Sequence, residues 1–227
     1  MLLLLPAPSL HAQQVFTVGE ARKVMMGTDL SAHIALDSLL NKPNLYALGP
    51  MDDLQGELLV LNSRLWHSTA IHNQIELAEI REAKAPFMVY AYVAEWQSHP
   101  LAETFKGTQE LANLVRKAAT AHGIPANEPF VFRLTGQADE LDMHIIMKPA
   151  GETTHSHEAH KKAKRHFSYL HTEIEILGFY SEKHEGVFTH KGERLHMHYM
   201  DASTQHMGHI DGIATSRPLQ IWFPVSH

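Results

Sequence analysis

Apolar and polar residues along this chain alternate or run in short blocks more often than they recur at helical spacing. Such blocks occupy residues 46–50, 58–61, a stretch beginning at Leu65, and residues 86–92, 130–134, 141–147, 167–180, 195–200 and 219–224. Short apolar runs bounded by Gly, Pro or Asn predict strands. A bulge or turn is expected at Gly178 inside the 167–180 run. Helical spacing is confined to three places. Thr17-Val18-Gly19-Glu20 reads as a capping box, followed by apolar Ala21, Val24 and Met25 and a stop at Gly27. Residues 30–40 carry Ile34, Leu36, Leu39 and Leu40 before Lys42-Pro43. Residues 108–122 form an amphipathic pattern through Leu111, Leu114, Val115 and Ala118, ended by Gly123. About ten strands against three helices predict a β-rich α+β fold.

At 227 residues the chain is long enough for one large domain. No repeat and no Pro/Ser-rich linker divides it. Residues 13–227 are therefore expected to form one unit, with closely packed subdomains at roughly 13–148 and 149–227. Residues 1–12, MLLLLPAPSLHA, read as the back half of a secretory signal with cleavage after Ala12. The expectation is export, with a cytoplasmic protein carrying a disordered apolar tail as the alternative. No segment reaches the roughly 18–20 apolar residues that span a membrane. Net charge is −6 with histidine neutral, which argues against electrostatic binding of nucleic acid. There are no cysteines, so a metal site must use histidine and carboxylate.

Histidine is abundant, at 19 residues. Four of them, His155, His157, His160 and His166, stand among lysines in residues 149–166, which read as an exposed polar loop. The sharper pattern is Leu195-His196-Met197-His198-Tyr199-Met200. On a strand, residues two apart share a face, so His196 and His198 project side by side about 7 Å apart at the backbone. Residues 201–208 are polar and can reverse the chain, so that a third histidine returns opposite the first two. His206 and His209 compete for that place. Gly208 permits close backbone approach just before His209 and favours it. Three imidazoles converging from paired strands make an open zinc-type site. Far upstream, Glu57 follows Gly56 at the start of an apolar strand, where an acid is either a rim residue or an inward functional carboxylate.

The order of these pieces resembles the α-acetolactate decarboxylase family. The likeness runs from about Val15 to Pro224. It passes through Tyr46-Ala47-Leu48-Gly49, Leu54-Gln55-Gly56-Glu57-Leu58, Ala85-Pro86-Phe87 and Phe130-Val131-Phe132-Arg133-Leu134-Thr135-Gly136. It ends with Leu177-Gly178-Phe179-Tyr180, the His-x-His strand and Met207-Gly208-His209. The resemblance implies a carboxy-lyase of two packed subdomains of mixed and antiparallel sheet, commonly a homodimer. It implies Zn²⁺ on His196, His198 and His209, with Glu57 as the acid beside the metal. The implied reaction converts 2-hydroxy-2-methyl-3-oxobutanoate (2-acetolactate) to acetoin and carbon dioxide through a metal-stabilised enediolate. The partner is then a small hydroxy-keto acid, with no nucleic acid and no membrane.

Two departures stand out. The family's substrate-facing arginine, nine residues or so after Leu-Thr-Gly, falls on His144. A histidine lacks the bidentate fork suited to a carboxylate. Arg133, Arg194 and a protonated His144 are the cations on offer in its place. The family also often adds a C-terminal tail with a further acid, which is not seen after Pro224. The alternatives are a related metal enzyme acting on another hydroxy-keto acid, and an exported, non-catalytic metal-binding protein that uses the histidines of residues 155–166. Other divalent transition metals also suit three histidines.

Overall fold

A computed structural model describes residues 14–149, 151, 152, 154–190, 192–201 and 206–225. The signal expected at 1–12 lies outside the described residues. The fold is a β-rich α+β fold of antiparallel sheets, as the pattern predicts. A six-stranded sheet takes, in spatial order, Phe16–Val18, Met88–Tyr92, Leu45–Pro50, Glu57–Leu61, Arg64–Ile71 and Gln74–Ile80. A seven-stranded sheet takes Phe105–Lys106, Met207–Thr215, Leu195–Met200, Lys164–Tyr180, Phe130–Ile146, Leu219–Pro224 and Trp96–Leu101. Met207–Thr215 also pairs with the far half of Phe130–Ile146, so the second sheet curls and closes on itself. The sheets divide the chain between Tyr92 and Trp96, and strands on both sides of residue 148 pair in the second sheet.

Burial separates the faces. One face of the first sheet carries Leu45, Ala47, Leu58, Val60 and Met88 into a local core closed by Leu36. Its other face carries Leu48, Leu59 and Val89 against Val131, Leu177, Phe179, Met200 and Met207 of the second sheet. Inside the closed part of the second sheet lie Phe132, Leu134, Leu141, Ile176, Met197 and Tyr199, extended by Leu111 and Val115 of the helix Thr108–Ala121. By the two-residue period, Glu57 shares the side of Leu59 and so faces the second sheet.

Several local expectations are corrected. The helix Ala21–Met26 has Glu20 at its N-cap with no side-chain cap bond, because Thr17 is already in the strand Phe16–Val18. Its Gly27 end is as expected, left-handed at φ 69°. The segment 30–40 is not one helix. His33 and Leu36 donate backbone bonds to Ala85 and Ala83, drawing Ile34–Ala35 into a small two-stranded sheet and leaving only Asp37–Leu40 helical. The runs at 130–134 and 141–147 belong to one strand, Phe130–Ile146. Gly178 is not a bulge: it sits in continuous register opposite Phe132. An added Cβ there would lie 2.3 Å from Phe132 Cζ, so glycine is required by ring packing. The stretch 149–166 is not simply an exposed loop. It contains the helix His157–Ala163, capped by Ser156, and His160 is buried against the helix Ala21–Met26 side of the molecule. Ser156 accepts the Ala159 N–H, leaving the histidines and lysines of one turn outward and His160 inward.

Candidate metal centre

The strand Leu195–Met200 pairs with Met207–Thr215 so that His198 stands directly opposite His209. Gly208 serves the opposite neighbour of Met207–Thr215: a Cβ on it would lie 2.8 Å from the His144 carbonyl and 2.9 Å from Met143 Sδ, so glycine lets the strand Phe130–Ile146 come close and sets His144 beside His209. His196 lies two residues from His198 on the same face. One ring nitrogen from each of His196, His198 and His209 falls within 4.8 Å of the others. His206, the competing third ligand, is outside this group; its ring stacks on Tyr169 at 5.1 Å and its Nδ1 is 3.9 Å from Asp201.

Glu57 enters from the first sheet, with Oε2 3.6 Å from His198 Nε2 and Oε1 accepting the Ile146 N–H at 3.1 Å. Glu57 therefore points between the sheets toward the histidines and does not sit on the rim. Desolvation pushes its carboxyl up to about 8, partly offset by the Ile146 bond and by Lys164. Gly56, at φ 118°, brings the chain into that strand where a Cβ would strike the Ser68 carbonyl. The imidazoles are held neutral. Burial lowers His198 to about 3, and lowers His196 and His209 well below 6.5. Neutral imidazole is the form that binds metal.

The donor set fits a transition-metal ion. Ring centroids of the three pairs are 5.2, 4.9 and 5.5 Å apart. Imidazoles on a tetrahedral zinc at ordinary Zn–N distances would have ring centroids about 5.2 Å apart. Nδ1 of His196 and both ring nitrogens of His198 are buried without a hydrogen-bond partner among the described residues. Buried polar atoms left bare are costly unless something else satisfies them. Zinc, or another divalent metal favouring imidazole, fits that set.

His144 pairs directly with His209 across the sheet, 4.6 Å between ring centroids. Its Nδ1 bonds both Asp211 oxygens at 2.8 Å. Burial lowers its imidazole to about 4, with Asp211 opposing. Asp211 reaches it through a break in register: Met143 pairs with Ile210 and Asp142 with Gly212, leaving Asp211 as an extra residue turned toward His144. His144, His209 and Asp211 form a second ligand-type grouping. It shares His209 with the first, and its His144 Nδ1 is already bonded to the carboxylate.

Arg133 is not brought to the triad. Its Nη2 donates to Glu175 at 2.6 Å, and its guanidinium lies over Trp96 and Trp222. It shares the sheet row of His198, with Leu177 between them. Arg194 likewise turns away and donates to Asn113. Two residues beside the centre were not anticipated. Asp211 could have been suspected as His209-x-Asp211, although the register break rather than strand alternation aims it. His190, 5.1 Å from His209 and 6.3 Å from His196 by ring centroids, comes from an irregular segment that carries no spacing signal. The histidines of residues 155–166 form no ligand group of three among the described residues.

A cavity of about 30 Å³ lies against the triad, lined by Val24, Met25, Glu57, His144 and His190 among others. That is room for about one water-sized group. Fold and site together define a class: a two-sheet, β-rich protein with three histidines and a carboxylate gathered between its sheets. The chain belongs to the alpha-acetolactate decarboxylase family, whose model matches residues 15–222. That family gives it the character of a decarboxylase. An α-acetolactate decarboxylase from Bacillus subtilis strain 168 superposes with a TM-score of 0.73 at 12% identity, covering 93% of this chain and 85% of the other. A Staphylococcus aureus protein described as of unknown function and similar to alpha-acetolactate decarboxylase gives 0.72 at 14%, with the same coverage. The enzyme from Bacillus subtilis subspecies spizizenii gives 0.69 at 13%, covering 93% and 86%. These identities make the chain a divergent member. No curated protein sequence matches it at a significant level.

Proposed function

We propose that this chain is a zinc-dependent lyase that decarboxylates 2-acetolactate to acetoin. The observation that carries the reading is the meeting of three neutral imidazoles with the Glu57 carboxyl between two sheets. Loss of carbon dioxide from a 2-hydroxy-3-keto acid leaves an electron pair that the neighbouring carbonyl must accept, and a proton must then reach carbon. Bound to His196, His198 and His209, Zn²⁺ would supply the Lewis acid that makes that carbonyl a better acceptor. Glu57 supplies the proton inventory. A buried carboxyl with its affinity raised toward neutrality can hold a proton on Oε2 and give it up in turn. Ile146 N–H fixes the other oxygen and so the direction of Oε2. His144, oriented by Asp211, presents the rest of its ring to the same cavity. Val24, Met25, Leu54 and Phe87 give the cavity an apolar wall.

The deciding experiment is metal analysis and an acetoin assay on one preparation. One zinc per chain with acetoin release above the spontaneous rate supports the reading; a zinc-loaded protein that releases none removes it. A second reading, a different hydroxy-keto acid, is favoured by the bonding of His144 to Asp211 at the family's arginine position. A panel of racemic acids read by carbon dioxide release separates the two. Residues 1–12 support a further proposal, export with a mature chain starting at Gln13, which N-terminal sequencing of the exported protein tests.

A further inference from the structure

We infer that His190 is the residue that hydrogen-bonds the carboxylate of the incoming acid; this rests on the hydroxy-keto acid reading above. An anionic substrate beside Glu57 needs a donor, and the usual candidates are engaged elsewhere. Arg133 is held by Glu175 and two indoles. His144 spends Nδ1 on Asp211. Apart from these and the triad, the polar groups lining the inner cavity are Glu57 and His190. No hydrogen bond to either ring nitrogen of His190 occurs among the described residues, while its backbone carbonyl anchors the segment by accepting the Glu193 N–H at 3.0 Å.

Position supports the same role. Outside the inner cavity lies a wider groove of about 640 Å³, lined by Arg22, Met26, His157, Glu185 and Thr189. The two spaces share Ala21, Met25 and His190, so of the shared residues only His190 is polar. An acid seated in the groove with its carboxylate toward the triad meets its ring. Arg22, largely exposed and 3.7 Å from Glu20, adds a positive charge at the outer end. His190 stands nearer His209 than His196 and is not in the triad's ligand group, which places it beside the metal-binding nitrogens rather than among them. A neutral imidazole offers one donor, where arginine offers a fork.

The test uses zinc-loaded protein and 2-hydroxy-2-methylpropanoate, a hydroxy acid with no keto group and so no decarboxylation. Binding is measured by calorimetry and zinc content by elemental analysis. Wild type should bind. His190→Ala should weaken the anion at least about tenfold with one zinc per chain retained, and His190→Gln, which keeps a donor, should recover most of the loss. Equal binding in His190→Ala, failure of His190→Gln to recover it, loss of zinc from either variant, or no binding to wild type each overturns the inference. If wild type binds this anion but releases no acetoin from acetolactate, the decarboxylation reading falls and the His190 contact stands.

Discussion

Oε2 of Glu57 lies 3.6 Å from Nε2 of His198, although the two residues come from different sheets. The contact joins the fold to the chemistry, since the same apolar layer that presses the sheets together also desolvates the carboxyl. Glu57→Gln keeps the shape and the acceptor for Ile146 but removes the exchangeable carboxyl proton. The expected outcome is a fall in kcat of about 10²- to 10⁴-fold with zinc content unchanged. Parallel kinetics and elemental analysis check it; a variant retaining wild-type kcat removes Glu57 from the reaction.

The choice of third ligand is tested by a pair of substitutions. His209→Ala should lose tight zinc binding, as should His198→Ala, because two nitrogens remain. His206→Ala should keep one zinc per chain, since that ring lies on Tyr169. Titration with a competing chelator reads both.

The Asp211 carboxylate fixes the ring and tautomer of His144. Asp211→Asn should lower kcat about 10- to 100-fold through misoriented His144, the size typical of groups that orient a residue at a metal site. His144→Arg restores a fork-shaped donor and should raise the rate with acetolactate if the site has drifted from that substrate. Unchanged kcat in Asp211→Asn would leave the pair a purely structural one.

The metal-free protein should show a distinctive pH profile. His198 near 3, and His144 and His190 near 4, bind protons less readily folded than unfolded, where histidine sits near 6.5. Their contribution is complete above about 6.5 and drains as pH falls toward 4 and 3. Glu57 runs the other way: raised to about 8, it contributes fully below about 4.5 and loses that contribution as pH rises through 8. Several histidines outweigh one carboxyl, so Tm should fall on acidification below 6.5. Glu57→Gln should gain Tm relative to wild type between pH 5 and 8.5. Scanning calorimetry after chelation measures both slopes.

Much of this centre was legible along the chain. The two-residue period of a strand is enough to put His196 and His198 side by side, and the polar residues after Met200 are enough to predict that the chain turns back with His209. The end of the helix Thr108–Ala121 and the left-handed Gly27 follow from local backbone preference in the same way. These are short-range effects, set by residues within one turn or one strand. Pairing with residues far away overrode them elsewhere: the apolar residues 34–40 form no single helix because Ala83 and Ala85 recruit the backbone there.

Residue order along the chain is enough for the histidine face, the acid at a strand start and the β-rich fold, since each follows from strand period and local turn chemistry. It took the folded arrangement to show that Glu57 points inward, that Arg133 is held by Glu175, that a register break turns Asp211 onto His144, and that His190 stands beside the triad. Each of those depends on register and packing between distant segments, and the side a residue presents there is set by its partner strand, not by its neighbours in the chain.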